Sequence, residues 1–194
     1  MLILASASPR RQELLRSANI LFTAKPTDIP EDARPGEAAR DCAERLAREK
    51  AMAIAHLYPD AFVLGADTIV VVDGEMLGKP RDPADAARML RLLSGRSHQV
   101  ITGVCLAEPY SGNALQQMRT ASETTLVTFE PLTEEDIQYY ITTREPMDKA
   151  GAYAIQGMAS RWVSRIEGDY SNVVGLPVPL VYRLLREHGF TFGI

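Results

Sequence analysis

The chain is poor in the residues that build metal–thiolate sites and disulfide frameworks. Its 194 residues include only two cysteines and three histidines. Neither cysteine stands in a spacing typical of metal ligands, and the histidines are scattered, which disfavours a His/Cys metal site. We therefore expect Cys42 and Cys105 to be buried, reduced thiols of a cytoplasmic protein.

Other absences narrow the class of protein further. No apolar run approaches the length of a membrane span, and the first residues lack the basic start of a signal peptide. The net charge of −4 argues against general nucleic-acid binding, although it is compatible with a local basic pocket. The chain has no Walker-type P-loop, no Gly-x-Gly-x-x-Gly and no Gly-x-Ser-x-Gly, which disfavours a kinase, a dinucleotide enzyme and a serine hydrolase. We expect a globular protein that binds neither membrane nor nucleic acid.

The first informative segment is an apolar start that runs directly into a basic helix. Ser8 and Pro9 suit the cap and the first position of a helix over residues 9–18. Arg10 and Arg11 fall in its first turn, where the helix dipole already places partial positive charge. An anion bound by free N–H groups, a hydroxyl and two guanidinium groups would explain this arrangement. An ordinary capped helix with solvated arginines is an equal alternative.

Hydrophobic periodicity and turn residues predict an α/β fold. Helices are predicted over residues 9–18, 37–58, 83–94, 133–143 and 177–187. The third should stop at Gly95, and the fourth should be capped by Thr133 with Asp136 as the reciprocal acid. Strands are predicted over residues 2–5, 21–25, 61–72, 75–77, 97–107, 114–130 and 161–166, with a loop at 26–36, an Asp-Gly hairpin at 73–74 and a turn at 109–113. Because helices and strands alternate while hairpins intervene, we expect a mixed sheet with helices packed on it.

A lone acid interrupts the most apolar strand. Asp67 lies in the run Val-Leu-Gly-Ala-Asp-Thr-Ile-Val-Val-Val of residues 63–72. A carboxylate buried there is costly unless it is paired or metal-bound, whereas a polar residue at a solvent-facing strand end would be harmless. Gly65 in the same strand indicates a bulge or a close backbone approach. We favour a functional carboxylate because unpaired charges in buried strands are rare.

Three further segments carry weaker signals. Lys79, after the hairpin, fits a phosphate ligand, but a solvated basic turn is the favoured interpretation of that segment alone. Lys50, on the long helix, can equally be a surface residue. Residues 148–157 are rich in small side chains, and Gln156 offers the donor and acceptor that base-edge recognition requires. A tightly packed structural loop is an equal alternative for that segment.

Together, these segments resemble the Maf family of nucleoside triphosphate pyrophosphatases. The motifs that carry the resemblance span nearly the whole chain: Ser-Ala-Ser-Pro-Arg-Arg at 6–11, Leu-Ala-Arg-Glu-Lys at 46–50, Gly-Ala-Asp-Thr at 65–68, Gly-Lys-Pro-Arg-Asp at 78–82, Leu-Ser-Gly at 93–95, Asp-Lys-Ala-Gly-Ala-Tyr at 148–153, Ile-Gln-Gly at 155–157 and Val-Gly-Leu-Pro at 174–177. The resemblance implies one domain over residues 1–194, with a central mixed β-sheet flanked by helices. It implies two lobes around a nucleotide-binding cleft, as in Maf and inosine triphosphate pyrophosphatase-like proteins.

The resemblance also implies an activity. A nucleoside triphosphate would be hydrolysed to the monophosphate and pyrophosphate with a divalent metal ion, Mg²⁺ or Mn²⁺, by a homodimer. The branch acting on dTTP and UTP has the Gly-Ala-Asp-Thr and Ala-Tyr-x-Ile-Gln-Gly segments, so Thr68 and Gln156 place this chain near it. There are two alternatives. One is a 7-methyl-GTP pyrophosphatase, which Thr68 and Gln156 disfavour, and the other is a non-catalytic nucleotide-binding regulator of cell division. A modified pyrimidine nucleotide is left open as the physiological substrate.

The resemblance finally implies roles for single residues. Asp67 would be the catalytic acid, either as general base or as metal-bound carboxylate, and Glu31 would share the metal. Mg²⁺ prefers one or two carboxylates plus phosphate oxygens, which suits this pair. The residues implied to govern substrate choice are Arg11, Thr68 and Gln156. The residues implied to hold the phosphates are Ser8, Arg10, Lys50 and Lys79.

Overall fold

The computed structural model describes residues 1–110 and 116–192. The strands are β1 Leu2–Leu4, β2 Thr23–Ala24, β3 Phe62–Val72, β4 Glu75–Leu77, β5 Ser97–Ala107, β6 Met118–Phe129 and β7 Val163–Glu167. The α-helices are α1 Pro9–Ser17, α2 Ala39–Ala55, α3 Pro83–Leu93, α4 Glu134–Thr142, α5 Tyr170–Val174 and α6 Val178–Glu187. Short 3₁₀ helices cover Glu145–Asp148, Ala150–Ala152 and Met158–Trp162.

The strands form one mixed sheet, as predicted. Its order is β2-β1-β3-β5-β6-β7, and β4 pairs with β3 off this path. β1 is parallel to β2 and β3, whereas β4 is antiparallel to β3 and β7 is antiparallel to β6. Asp73 and Gly74 both have positive φ, 49° and 81°, which is the geometry of the tight turn that joins twisted hairpin strands. The hairpin predicted at this Asp-Gly pair is therefore confirmed.

The chain divides into two compact units. The first unit contains residues 1–67 and the described residues of 102–123 and 175–194. The second unit contains residues 68–101 and 124–174. We refer to them as the first and second unit. The single domain with two lobes around a cleft stays a prediction.

Side-chain alternation along β1 shows how the first unit builds its core. Leu2 and Leu4 pack with the apolar faces of α1 and α6. Ile3 and Ala5 point the other way and pack with α2. Because successive residues of a strand face opposite sides, each face of the sheet receives its own helical layer. The predicted sheet flanked by helices is confirmed.

Helix α2 lies unusually close to the sheet. An ideal Cβ at Gly65 would lie 2.1 Å from the Ala47 carbonyl oxygen and 2.7 Å from the Ala51 nitrogen. An ideal Cβ at Gly103 would lie 2.3 Å from the Ala43 carbonyl oxygen. Glycines on the strands therefore meet alanines spaced four residues apart on the helix. The close backbone approach predicted at Gly65 is confirmed, and it seats α2 on the strand that carries the predicted catalytic acid.

The helix ends that depend on local capping agree with the predictions. The Ser8 side chain accepts from the Arg11 backbone nitrogen at 3.5 Å, and a proline follows as the first residue of α1. Thr133 and Asp136 form a reciprocal capping box at the start of α4. Gly95, just beyond α3, has a φ of 66°. These ends are encoded within three or four residues of sequence.

Other predictions differ from the structure or fall outside it. β2 has two residues rather than the five predicted, α2 ends at Ala55, and α5 was not predicted at all. Residues 111–113 of the predicted turn and 114–115 of the predicted strand lie outside the described residues. Among the residues that the structure describes, no helix has the length and apolarity to span a membrane. Cys42 and Cys105 are buried free thiols, as expected.

Candidate active site

The first unit contains a largely buried cluster of two acids and a lysine, which we call the acid–lysine cluster: Glu31, Lys50 and Asp67. Lys50 Nζ donates to Glu31 Oε1 at 2.5 Å and to Asp67 Oδ1 at 2.6 Å. Lys50 is 6% and Asp67 7% exposed, whereas the Glu31 side chain is 39% exposed. The expectation that a carboxylate in this apolar strand needs a partner is confirmed.

Helical spacing carries Lys50 into this cluster. Leu46, Lys50 and Ile54 follow one another at four-residue intervals, and all three are buried. Residues four apart lie on the same helical face, so the lysine is carried on the side that α2 presents to the sheet. The alternative of a surface residue at this position is wrong. In the structure its ammonium contacts carboxylates, and its role as a phosphate ligand stays a prediction.

Arg11 anchors the start of α1 to the backbone next to this cluster. Its Nε donates to the Gly175 carbonyl oxygen at 2.7 Å, and its Nη1 donates to the Ala66 carbonyl oxygen at 2.9 Å and to Ser6 Oγ at 3.4 Å. Burial lowers the pKa of Arg11, while the two carboxylates of the acid–lysine cluster raise it. This guanidinium therefore fixes the backbone immediately before Asp67 and acts electrostatically on both carboxylates.

The start of α1 is basic, as predicted. No acidic residue stands in its first turn, which carries Arg10 and Arg11 instead. Ser8 N donates to Ser6 Oγ at 3.2 Å, so the two serines of the motif are linked. Ser6 was not assigned a role from the sequence, although its motif was recognised. Phosphate binding at this helix start stays a prediction.

The two carboxylates fit a divalent metal ion. The oxygens of Glu31 and Asp67 both lie within 2.6 Å of one nitrogen, so they can face one cation together. Carboxylate oxygens are hard ligands of the kind that Mg²⁺ prefers. Within residues 1–110 and 116–192, no group of three or more His, Cys, Asp or Glu side chains is placed to hold a metal ion. A two-carboxylate site would need phosphate oxygens and waters to complete the coordination.

The remaining predicted site residues belong to the second unit. Thr68 is half-buried in β3, while Lys79 and Gln156 are exposed. The Gly151 nitrogen donates to the Gly78 carbonyl oxygen at 3.1 Å. This bond ties the segment that precedes Gln156 to the turn that carries Lys79.

A tyrosine and a glutamate hold the backbone on both sides of Gln156. Glu145 Oε1 accepts from the Tyr140 hydroxyl at 2.7 Å and from the Met158 nitrogen at 3.1 Å. The Tyr140 hydroxyl in turn accepts from the Ala154 nitrogen at 3.2 Å. No local sequence pattern links α4 to the loop, so these contacts could not be predicted from the sequence. We call this arrangement the Tyr140–Glu145 clamp.

A buried histidine supports the same segment. The His98 Nε2 and the Tyr153 hydroxyl are 2.8 Å apart, and both residues pack edge-on against the Phe129 ring. Burial lowers the pKa of His98 to about 4, so its ring is neutral at physiological pH. The side chain three residues before Gln156 is thus fixed by an uncharged pair.

The fold and the site together define an α/β protein whose basic helix start stands on the same unit as a buried acid–lysine cluster. The chain belongs to the Maf family, because the family model described as Maf-like protein matches residues 1–188. The resemblance found in the motifs is therefore confirmed.

The chain is similar over nearly its whole length to named bacterial proteins. The dTTP/UTP pyrophosphatase of Koribacter versatilis (strain Ellin345) is 57% identical over 188 residues, which cover 97% of this chain and 94% of that protein. The dTTP/UTP pyrophosphatase of Geobacter sulfurreducens is 53% identical over 188 residues, which cover 97% and 96% of the two chains. The solved structure of the Staphylococcus aureus Ham1 protein matches 96% of this chain and 98% of its own, at 14% identity and a TM-score of 0.49.

Proposed function

We propose that this protein hydrolyses dTTP and UTP to the nucleoside monophosphate and pyrophosphate. The observation that carries the proposal is the acid–lysine cluster, a paired buried acid on the unit that also bears the basic start of α1. Hydrolysis of a triphosphate needs cations around several phosphate oxygens and a group that orients the attacking water. The names of the similar proteins support the same substrate pair.

We propose Asp67 and Glu31 as the residues that hold a divalent metal ion, Mg²⁺ or Mn²⁺. Such an ion would neutralise phosphate oxygens and lower the pKa of a bound water. The Lys50 ammonium holds one oxygen of each carboxylate through its two hydrogen bonds, which keeps the two acids side by side, and a shared metal ion would bind them beside this ammonium or in its place. Asp67 would orient the attacking water, by accepting its proton or by holding the metal-bound water in place.

The phosphate and base contacts are assigned to different residues. Ser8, Arg10, Lys50 and Lys79 are proposed as phosphate ligands. Arg11 is proposed to affect substrate choice through the backbone that it fixes, since its guanidinium already donates to two carbonyl oxygens. Thr68 and Gln156 are neutral, and an amide can pair with the donor–acceptor edge of uracil or thymine.

The proposal is tested by pyrophosphate release with Mg²⁺ across dTTP, UTP, CTP, GTP, 7-methyl-GTP and modified pyrimidine triphosphates. Among the unmodified nucleotides, we expect pyrophosphate release to be fastest from dTTP and UTP. Phosphorus NMR should show dTMP and pyrophosphate as the products of dTTP. Accumulation of dTDP would contradict the proposed bond cleavage. Preference for 7-methyl-GTP would favour the other branch, and binding of nucleotide without turnover would favour a regulator.

The proposed assembly is a homodimer, and the proposed location is the cytoplasm. Neither is needed for the assignment of the residues above. Light scattering coupled to size exclusion measures the mass in solution, for which the dimer requires twice the 21.4 kDa of one chain.

A further inference from the structure

The backbone around Gln156 is held at two points that lie symmetrically about it. The Ala154 and Met158 nitrogens, two residues before and two residues after it, both donate into the Tyr140–Glu145 clamp. The Gly157 nitrogen also donates to the Ala154 carbonyl oxygen at 3.0 Å, which closes a turn. An exposed amide side chain therefore stands at the centre of a segment whose ends are fixed.

The clamp is packed tightly against this turn. An ideal Cβ at Gly157 would lie 2.1 Å from Glu145 Oε1 and 2.5 Å from its Cδ. Any side chain at this position would displace the carboxylate that accepts from the Met158 nitrogen. Glycine is thus required for the close approach, and the Glu145 carboxylate fills the space that it leaves.

The partners of the clamp are themselves held in place. Tyr140 is fully buried, and its ring packs edge-on against Trp162 at 5.2 Å between centroids. Hydrogen bonds to a charged acceptor are stronger than those between neutral groups. A carboxylate that accepts from a buried phenol and a backbone amide is therefore a rigid support rather than a solvated surface acid.

We propose that Glu145, acting with Tyr140, is a positioning residue for base selection. It would touch no substrate and would act by holding the turn that presents Gln156. This inference rests on the proposed function, in which Gln156 contacts the pyrimidine edge. A side chain that reads a hydrogen-bonding edge discriminates only when its own position is fixed, because a mobile amide can adapt to the wrong base.

The test compares kcat/KM for UTP and GTP in Tyr140→Phe and Glu145→Gln. Each variant weakens one part of the clamp while keeping side-chain size. We expect the UTP/GTP ratio to fall about tenfold in Tyr140→Phe, which corresponds to the loss of one hydrogen bond to a charged group, and to fall less in Glu145→Gln, which keeps a neutral acceptor oxygen. Tyr139→Phe is the matched control, because it removes a phenol from the neighbouring, 60% exposed residue and should leave the ratio unchanged.

A double-mutant cycle separates positioning from general damage. If Glu145 acts through Gln156, then Glu145→Gln should not lower the ratio further once Gln156→Ala is present. Additive effects of the two substitutions would overturn the inference, as would an unchanged ratio in folded Tyr140→Phe. Amide hydrogen exchange at Ala154 and Met158 should also quicken in both clamp variants without nucleotide, and unchanged exchange would refute the clamp itself.

The same series distinguishes failure of the inference from failure of the proposed function. Wild-type protein that releases no pyrophosphate from UTP or dTTP would refute the proposed function, whatever the exchange data show. Wild-type protein that prefers UTP, with clamp variants that keep this preference, would refute only the role of Glu145.

Discussion

The two units of the molecule place their candidate site residues in different physical settings. In the first unit, three charged side chains meet in the acid–lysine cluster, where Lys50 and Asp67 are buried and Glu31 is partly exposed. In the second unit, Gln156 is exposed and neutral, and buried groups hold the backbone beside it. Lys79, an exposed cation, is the exception there.

Charged groups and neutral hydrogen-bonding groups can serve different tasks within one chain. Charged groups in a low-dielectric setting act strongly on any phosphate, but they cannot tell one base from another. Neutral hydrogen-bonding groups contribute less energy, yet they discriminate because the wrong base leaves them unpaired. Substitutions in the acid–lysine cluster should therefore alter turnover for all substrates, and substitutions at Gln156 should alter the choice among them.

The largest effect is expected for Asp67→Asn. Loss of a general base costs roughly 10²–10⁴ in rate, and loss of a metal ligand would add to this. Turnover of every nucleotide should fall together, as measured by pyrophosphate release. Asp60→Asn is the matched control, because Asp60 is exposed in the loop before β3. A folded Asp67→Asn variant with near-normal kcat would remove the catalytic role from the first unit.

Lys50→Met tests whether the two carboxylates need a cation between them. Removal of one partner from a buried ion pair costs about 3 kcal/mol in the free energy of unfolding, with the exposure of Glu31 keeping it near the lower end. Urea titration measures this loss, and Mg²⁺ should restore more stability to the variant than to the wild type.

The control for Lys50→Met is the double variant Lys50→Met/Asp67→Asn. It removes the surplus negative charge that the single substitution leaves buried, so it should be more stable than Lys50→Met alone. Equal stability of the two would show that lost packing of the lysine stem, rather than charge, dominates.

The pH dependence of stability tests whether His98 is buried as a neutral ring in the second unit. Its pKa is lowered to about 4 in the folded protein by burial, against about 6.5 in the unfolded chain. Between these values the unfolded chain binds a proton that the folded protein does not, so stability is full above pH 6.5 and is lost as the pH falls toward 4. The loss reaches about 3 kcal/mol at a slope of up to ~1.4 kcal/mol per pH unit.

Urea unfolding at several pH values measures the contribution of His98. The free energy of unfolding should fall less steeply between pH 6.5 and 4 in His98→Gln, which keeps a hydrogen-bonding group for Tyr153. His56→Gln serves as control, because it makes the same substitution at an exposed histidine. Identical slopes in wild type and His98→Gln would contradict the depressed pKa.

The smallest effect is expected for Gln156→Ala, which separates base recognition from phosphate binding most directly. The UTP/GTP ratio of kcat/KM should fall about tenfold, because one hydrogen-bonded edge is no longer read. Lys79→Ala should weaken all nucleotides by similar factors and leave this ratio in place. If Lys79→Ala shifts the ratio and Gln156→Ala does not, the division of the second unit into phosphate and base contacts is wrong.

Much of the fold follows from local sequence. The hairpin at Asp73 and Gly74, the capping box at Thr133 and the start of α1 at Ser8 were all predicted, because each depends on side chains a few residues apart. Helix α5 was missed, since its five residues follow no clear period. Packing against the rest of a unit, and not propensity, stabilises so short a helix.

The candidate site shows the same division between features that follow from local sequence and features that depend on packing. From the sequence alone, Asp67 is an acid in an apolar strand and therefore needs a partner. The folded structure is required to identify that partner as Lys50, which could equally have been a surface residue, and to show that Glu145 supports the turn around Gln156. Local rules act through neighbours along the chain, whereas these contacts join residues on separate elements, which are brought together when burial of their apolar faces drives folding.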